Sequence, residues 1–255
     1  MYAEERQAAI VGKVREQGRV TVSGIAADLS VTTETVRRDL AQLERAGLLR
    51  RVHGGAVSTT ALTVIEPGVA ERDATQADQK DRIAKAAVEL LPGSGGSVLL
   101  DAGTTTARIA SLLPVDRRLV VVTNAVPIAA RLGGSDSIRL HLLGGRVRGE
   151  TQAAVGDQTV RLLTDLRVDL AFIGTNALTV DHGLTTPDPD EAAVKRAMVA
   201  AAHQVVVVAD SAKIGREHLV RFASLDEVDV LVTDDGIDPA VVRELEAREV
   251  EVVIA

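Results

Sequence analysis

Seven short runs of Val, Leu, Ile and Ala recur through the C-terminal part of this 255-residue chain, and they limit its fold more than any other feature. They fall at residues 97–101, 119–123, 138–143, 169–173, 205–209, 229–233 and 250–254. Most are continuous rather than alternating. That is the pattern of strands covered on both faces, as in a largely parallel sheet. Amphipathic segments at 105–113, 125–132, 156–164, 191–203 and 239–248 stand between them as covering helices, so the fold reads as α/β. A charged, helix-forming segment over 69–91 precedes them, with Ile83, Ala84, Ala87, Val88 and Leu91 as its apolar face.

The first part of the chain has a different character. Residues 4–17 place Ala8, Ile10, Val11 and Val14 near helical spacing, and Gly18 ends that helix. Residues 22–29 form a short second helix with Ile25, Ala26 and Leu29 turned inward. After Ser30-Val31-Thr32, Thr32 caps a third helix, in which Val36, Leu40 and Leu43 are the buried face and Gly47 is the stop. Thr33, Glu34, Thr35, Arg37 and Arg38 lie at its start and on its outer side. Leu48–Val52 and Ala56–Ser58 then pair as a hairpin across His53-Gly54-Gly55. Three short helices followed by a basic hairpin match a winged helix-turn-helix, whose third helix enters the major groove of double-stranded DNA. The candidate DNA contacts are Thr33, Thr35, Arg37, Arg38, Arg50, Arg51, His53 and Gly54. Arg37 and Arg38 suit either guanine or phosphate. The plain alternative is a solvated helix face paired with Glu34 and Glu44.

Charge supports a division. Residues 1–56 hold nine Lys/Arg and seven Asp/Glu, a balance of +2, whereas the remainder holds twenty and twenty-nine, a balance of -9. Residues 57–68 are small and polar up to the Pro67-Gly68 turn. The expected organisation is a DNA-binding domain over 1–57, a linker over 58–74 and a second domain over 75–255.

The strand ends carry the chemistry of the second domain. They read Asp101 to Thr106, Thr123-Asn124, Gly144-Gly145-Arg146, Gly174-Thr175-Asn176, Asp210 to Lys213 and Thr233-Asp234-Asp235. Open α/β sheets bind ligands in the crevice at the carboxyl ends of their strands. Gly103-Thr104-Thr105-Thr106 lies between a strand and a helix start, where backbone N–H groups and hydroxyls suit a phosphate. A plain N-cap is the alternative. Neither a nucleotide P-loop nor a dinucleotide fingerprint follows any strand, so no cofactor is expected.

Other classes are set aside by composition. The chain has no cysteine, which excludes disulfides and thiol chemistry and suggests the cytoplasm. Tyr2, Phe172 and Phe222 are its only aromatics, too few for a surface that stacks single-stranded bases. The histidines, at 53, 141, 182, 203 and 218, lack metal-ligand spacing, so no metal is expected. No apolar stretch is long enough for a membrane span.

The block Thr35-Val36-Arg37-Arg38-Asp39-Leu40, continuing through Leu43-Glu44, Gly47, Leu49 and Arg51 to His53-Gly54-Gly55-Ala56, resembles the DeoR family of bacterial sugar regulators. Thr32 stands where that family more often has serine. In the second domain the resemblance rests on Asp101, Gly103-Thr104-Thr105, Thr123-Asn124, Gly144-Gly145, Phe172-Ile173-Gly174, Gly183-Leu184, Thr186, Glu191, Lys195, Asp210 and Lys213. Ala212 departs from a common serine. The resemblance implies a fold similar to ribose-5-phosphate isomerase, but with no carboxylate in Gly174-Thr175-Asn176 and with Lys195 near the place of an acid. Lacking the base that isomerisation needs, such a site binds a sugar phosphate without converting it. On this reading Thr104, Thr105 and Thr106 hold the phosphate, and Asp101, Asn124 and Asn176 meet hydroxyls or order the loops. Lys195, Lys213 and Arg146 supply positive charge, and Gly103, Gly145 and Glu191 complete the effector site. Lys195 also fits an i, i+4 pair with Glu191. The resemblance implies a homo-oligomeric repressor of a sugar catabolic operon, relieved by a phosphorylated sugar. The wording around Leu62–Arg72 and Gly149–Val155 is similar to actinobacterial fructose-operon members. The rivals are an isomerase-like enzyme with a DNA-binding arm, and an activator of the same architecture.

Overall fold

The computed structural model describes residues 3–45, 48–52, 54–58 and 68–255. The chain divides into two compact units, Met1–Val64 and Ile65–Ala255. The first contains α1 (Ala3–Gln17), β1 (Arg19–Thr21), α2 (Val22–Asp28), α3 (Thr33–Arg45), β2 (Leu49–Val52) and β3 (Gly55–Ser58).

The spacing of the apolar residues is realised in one small core. Ile10 and Val14 of α1, Ile25 and Ala26 of α2, and Val36, Leu40 and Leu43 of α3 close on one another with Val20, Leu49 and Ala56. Thr32 caps α3 as expected, its hydroxyl accepting from Thr35 N at 3.2 Å. Thr21 does the same for α2, accepting from Gly24 N at 3.0 Å.

The wing has a third strand that the sequence does not announce. β1 pairs with β3, which pairs with β2. Gly55 makes this possible: a Cβ there would stand 1.9 Å from the Val20 carbonyl oxygen. The strand after the turn therefore begins at Gly55 rather than Ala56. His53 and residues 59–67 of the expected linker lie outside the described residues.

The second unit opens with α4 (Val69–Ala74) and α5 (Ala77–Val88), then β4 (Ser97–Leu100), α6 (Thr104–Ser111), β5 (Leu119–Thr123), α7 (Val126–Leu132) and β6 (Ile138–Leu142). β7 (Arg146–Val147), β8 (Ala154–Val155), α8 (Asp157–Thr164), β9 (Val168–Gly174), β10 (Ala177–Thr179), β11 (Gly183–Thr186) and α9 (Pro189–Ala200) follow. β12 (Ala202–Val208), β13 (Val220–Ala223), β14 (Val230–Thr233), α10 (Pro239–Glu246) and β15 (Glu251–Ile254) complete it.

One expectation about its start needs correction. The segment over 69–91 is not one helix, because Thr75 and Gln76 interrupt it and Gln76 takes a left-handed φ of +53°. The cause is local. The Lys80 ammonium of α5 donates to the carbonyls of Arg72 (2.9 Å) and Thr75, satisfying the end of α4 from the side. The expected linker over 58–74 therefore ends in a helix.

All seven apolar runs are strands of one parallel sheet, in the order β15-β14-β12-β9-β4-β5-β6. Neighbouring residues on a strand serve opposite cores. Val98, Leu100, Leu170, Phe172, Val206 and Val208 face Ile83, Ile109 and Ile128 of α5, α6 and α7. Leu99, Ala171, Ile173, Val205 and Val207 face Leu163, Met198 and Leu245 of α8, α9 and α10. That is why the runs are continuously apolar. A second, antiparallel sheet, β10-β11-β13, adds Leu178, Leu184 and Phe222 to the latter core. Its strands are too short and too rich in threonine to stand out as apolar runs.

The strand order fixes where a ligand can sit. From β4 the chain winds outward through β5 and β6, then returns to the other side of β4 with β9 and continues through β12, β14 and β15. The crevice at the switch point lies between the carboxyl ends of β4 and β9.

Candidate functional site

On the first unit, Thr33, Glu34, Arg37 and Arg38 are exposed along α3, and Thr35 is half-buried with its hydroxyl 2.9 Å from that of Thr32. Arg37 reaches Glu34 at 3.6 Å with side-chain exposures of 59% and 67%, a pairing weak enough to exchange for phosphate. Asp39 goes the other way. It is buried, and its carboxylate accepts from Arg6 at 2.5 and 3.1 Å and from Gln7 at 3.3 Å, fastening α3 to α1. In Arg37-Arg38-Asp39 two cations are therefore displayed while the acid anchors the helix that carries them. Arg50 and Arg51 lie on β2 opposite Val57 and Ala56; their side chains fall outside the described residues. Gly54 is an exposed turn residue at φ +78°, and its carbonyl accepts from Val22 N at 2.8 Å, tying the wing to α2.

In the second unit, the switch-point crevice gathers four of the expected effector residues. Asp101, Asn124, Glu191 and Lys195 line one small cavity with Ala102, Ala153 and Val194. Asp101 follows β4 and accepts from Gly174 N at 3.0 Å, bridging the ends of β4 and β9. The Lys195 ammonium, brought by α9, donates to the Asp101 carboxylate and to Gly174 O at 2.9 Å, and lies 5.5 Å from the Phe222 ring centre. Lys195 thus bonds across the sheet rather than to Glu191 one turn away. Burial pushes the Asp101 carboxyl above its usual range against the pull of Lys195.

Glu191 is tied on its own account. Asp188 caps α9 by accepting from Glu191 N at 2.8 Å. The Glu191 carboxylate meets Arg148 at 2.7 Å and accepts from Thr151. Burial alone pushes its pKa up, but Lys195, Thr151 and Arg148 outweigh burial and hold it below the usual range. Arg148 and Thr151 were not among the expected site residues. They sit between β7 and β8, two-residue strands that leave no periodic trace.

Asn124 carries the clearest mark of a ligand site. Its side-chain nitrogen donates to Ala154 O at 3.1 Å, while its oxygen is buried and has no hydrogen-bond partner. A buried acceptor left unpaired costs about 1–3 kcal/mol, and this one belongs to a residue of the cavity wall. A hydroxyl entering the cavity would satisfy it.

The other expected residues surround the cavity or turn from it. Thr104 and Thr105 are buried in the first turn of α6, whose N-cap, Gly103, provides no side-chain cap. Those first amides have no intrahelical partner and suit an anion. Thr106 is fully buried and its hydroxyl donates back to Gly103 O at 3.0 Å, so it serves the loop itself. Asn176 accepts from Thr186 at 3.0 Å. Gly145 is a packing position, where a Cβ would stand 2.2 Å from the Thr159 hydroxyl. Arg146 points outward to Asp190, and Arg148 provides the buried cation instead. Lys213 lies 3.7 Å from Asp210. Burial lowers its pKa to about 8, opposed by Asp210 and reinforced by the nearby cations Lys80, Arg72 and Lys195.

The cavity has a volume of about 10 Å³, the space of a single water centre. Pockets that enclose small organic ligands start at roughly 300 Å³. As it stands the cavity has room for little more than a water. Among the described residues no cluster of His, Asp and Glu is arranged for a metal, and no helix is long and apolar enough to cross a membrane.

Two family models match the chain. The model of the DeoR-like helix-turn-helix domain matches residues 6–61, and that of the DeoR C terminal sensor domain matches residues 75–235. The HTH-type transcriptional regulator GlpR of Haloferax volcanii is 40% identical over 253 residues, 99% of this chain and 98% of its own. The HTH-type transcriptional repressor GlcR of Bacillus subtilis is 33% identical, covering 100% of this chain and 97% of its own. The glycerol-3-phosphate regulon repressor of Escherichia coli K12 is 31% identical, covering 92% of each chain. Among solved structures, ribose 5-phosphate isomerase A of Methanocaldococcus jannaschii aligns with a TM-score of 0.41 and 18% identity over 55% of each chain. These curated relatives are regulators of transcription rather than enzymes. With an exposed recognition helix joined to a parallel α/β sensor unit, and both family models matched, the chain belongs to the DeoR family of helix-turn-helix transcriptional regulators.

Proposed function

We propose that the chain represses a sugar catabolic operon and lets go of its operator when a phosphorylated sugar enters the crevice between β4 and β9. The observation that carries this reading is the partnerless, buried Asn124 oxygen in a cavity whose charged walls are Asp101, Glu191 and Lys195. Acceptors of this kind suit the hydroxyls of a sugar. The uncapped first turn of α6 with Thr104 and Thr105, and Lys213, suit its phosphate. A fructose phosphate is the leading candidate, on the resemblance around Leu62–Arg72 and Gly149–Val155. α3, with Arg37 and Arg38 outward, reads the major groove; Arg50, Arg51 and His53 of the wing meet phosphates. The sensor unit joins copies into a homo-oligomer that reads repeated half-sites in the cytoplasm.

The closed cavity supports a change of shape on binding. An effector lowers operator affinity only by favouring an arrangement that reads DNA poorly. The test is fluorescence anisotropy of the full chain on DNA from its own upstream region, titrated at fixed salt with sugar phosphates and their parent sugars. Release by one phosphate and not by its parent sugar is expected. Specific operator binding that no phosphate relieves would refute the effector assignment, and absence of specific binding would refute the DNA reader.

A further inference from the structure

The element that begins the sensor unit is held in an unusual way. None of the six residues of α4 is buried, so the helix has no apolar anchor. Polar contacts from three directions hold it instead. The Lys80 ammonium, itself 3% exposed, donates to the carbonyls of Arg72 and Thr75. Arg108 of α6 pairs with the Asp73 carboxylate and donates to Asp73 O at 3.2 Å. Arg72 reaches Glu150 O at 3.5 Å.

Two of these contacts lead toward the crevice. Arg108 also donates to Thr104 O at 3.1 Å, so one guanidinium joins α4 to the first turn of α6. Glu150 lies between Arg148 and Thr151, the two residues that hold Glu191. In sequence, α4 is the first described element after the residues that connect the sensor to the DNA reader.

We propose that α4 is a polar latch: docked, it keeps the chain in the DNA-reading arrangement, and an anion at the start of α6 releases it by drawing Arg108 and Lys80 away. The inference rests on the effector reading above and extends it from a site to a route of transmission. Apolar docking would resist a change of local charge, whereas a dock made of shared cations responds to one. A dianion beside Thr104 competes with the Asp73 and Asp81 carboxylates for Arg108. The coupling is reciprocal, so loosening α4 by mutation weakens operator binding and tightens effector binding.

The test uses the full chain with Asp73→Asn and Asp73→Lys. Asp73 lies outside the crevice and is largely exposed, so folding is expected to survive, as verified by circular dichroism. Operator affinity is expected to fall at least ~5-fold in Asp73→Lys without effector, with a smaller fall in Asp73→Asn. Added positive charge by itself strengthens DNA binding, so a fall in Asp73→Lys cannot be a trivial charge effect. Amide exchange over 69–76 should accelerate in both variants, and in the wild type when glucose 6-phosphate or fructose 1-phosphate binds. Operator affinities of both variants within twofold of wild type would overturn the latch. So would unchanged exchange over 69–76 in wild type saturated with a phosphate that releases DNA. If no sugar phosphate binds any of the proteins, the effector assignment fails, and the operator affinities of the variants decide the latch on their own.

Discussion

Replacing Lys195 by methionine tests the crevice most directly. Lys195 and Asp101 are 5% and 1% exposed, and the ammonium satisfies both the carboxylate and Gly174 O. Methionine preserves most of the side-chain volume and removes the charge. A buried carboxylate is then left without its cation, which costs about 3–5 kcal/mol. Asp101 can escape that cost by taking a proton. Its pKa in the folded protein, already raised by burial, rises further above the unfolded value. Between those two values the folded form binds more protons than the unfolded, so stability falls as pH rises, by up to about 1.4 kcal/mol per pH unit. The loss should therefore be largest near neutral pH and shrink toward the ordinary carboxylate range. Asp101→Asn with Lys195→Met should recover most of it, because neither charge remains. The chain has no tryptophan, so differential scanning calorimetry with far-UV circular dichroism is the assay, read on the sensor transition at about pH 5 and about pH 7.5. A loss under ~1 kcal/mol at the higher pH, or one that does not depend on pH, would mean that the pair is solvated and the crevice open.

Arg37→Ala and Arg38→Ala should each weaken operator binding while leaving both melting transitions in place. A phosphate contact shows as a salt slope reduced by about one, a base contact as about 1–3 kcal/mol of lost discrimination; unchanged affinity in both removes α3 as the reader. Gly55→Ala should destabilise the first unit by about 1–3 kcal/mol, since the added methyl meets backbone rather than a movable side chain. Its effector affinity should stay at the wild-type value, which calorimetric titration checks. Thr105→Val should blunt the effector response with operator binding intact, and a full response would discard the start of α6 as the phosphate site. Effector affinity should fall as pH rises through about 8, where Lys213 loses its charge, and Lys213→Arg should abolish that fall. A profile flat from about pH 7 to 9 in wild type would take Lys213 out of the site.

The parallel sheet was legible because its burial is two-sided. Val205 to Val208 alternate between two cores, and no residue in the run needs to be polar. The buried face of α3 was legible because Val36, Leu40 and Leu43 keep helical register on one side. Short elements defeat such reasoning. β1, β7 and β8 have two or three residues each, less than one alternation beyond chance. The break at Thr75-Gln76 was hidden because its cause, the Lys80 ammonium, acts across a turn and has no local signature. At the site, sequence identified the strand ends but not the direction of each side chain. Arg146 and Arg148 are equal as letters, yet one is 62% exposed and the other 11%. Nothing short of the β7–β8 hairpin decides which faces Glu191.

The water-sized cavity has a consequence for dose. If only a fraction of molecules at any moment have the crevice parted, the apparent dissociation constant is the intrinsic one divided by that fraction. A tenfold scarcer open form raises the midpoint of induction tenfold without altering a single contact to the ligand. Substitutions that ease the walls apart would then shift the concentration at which the operon responds.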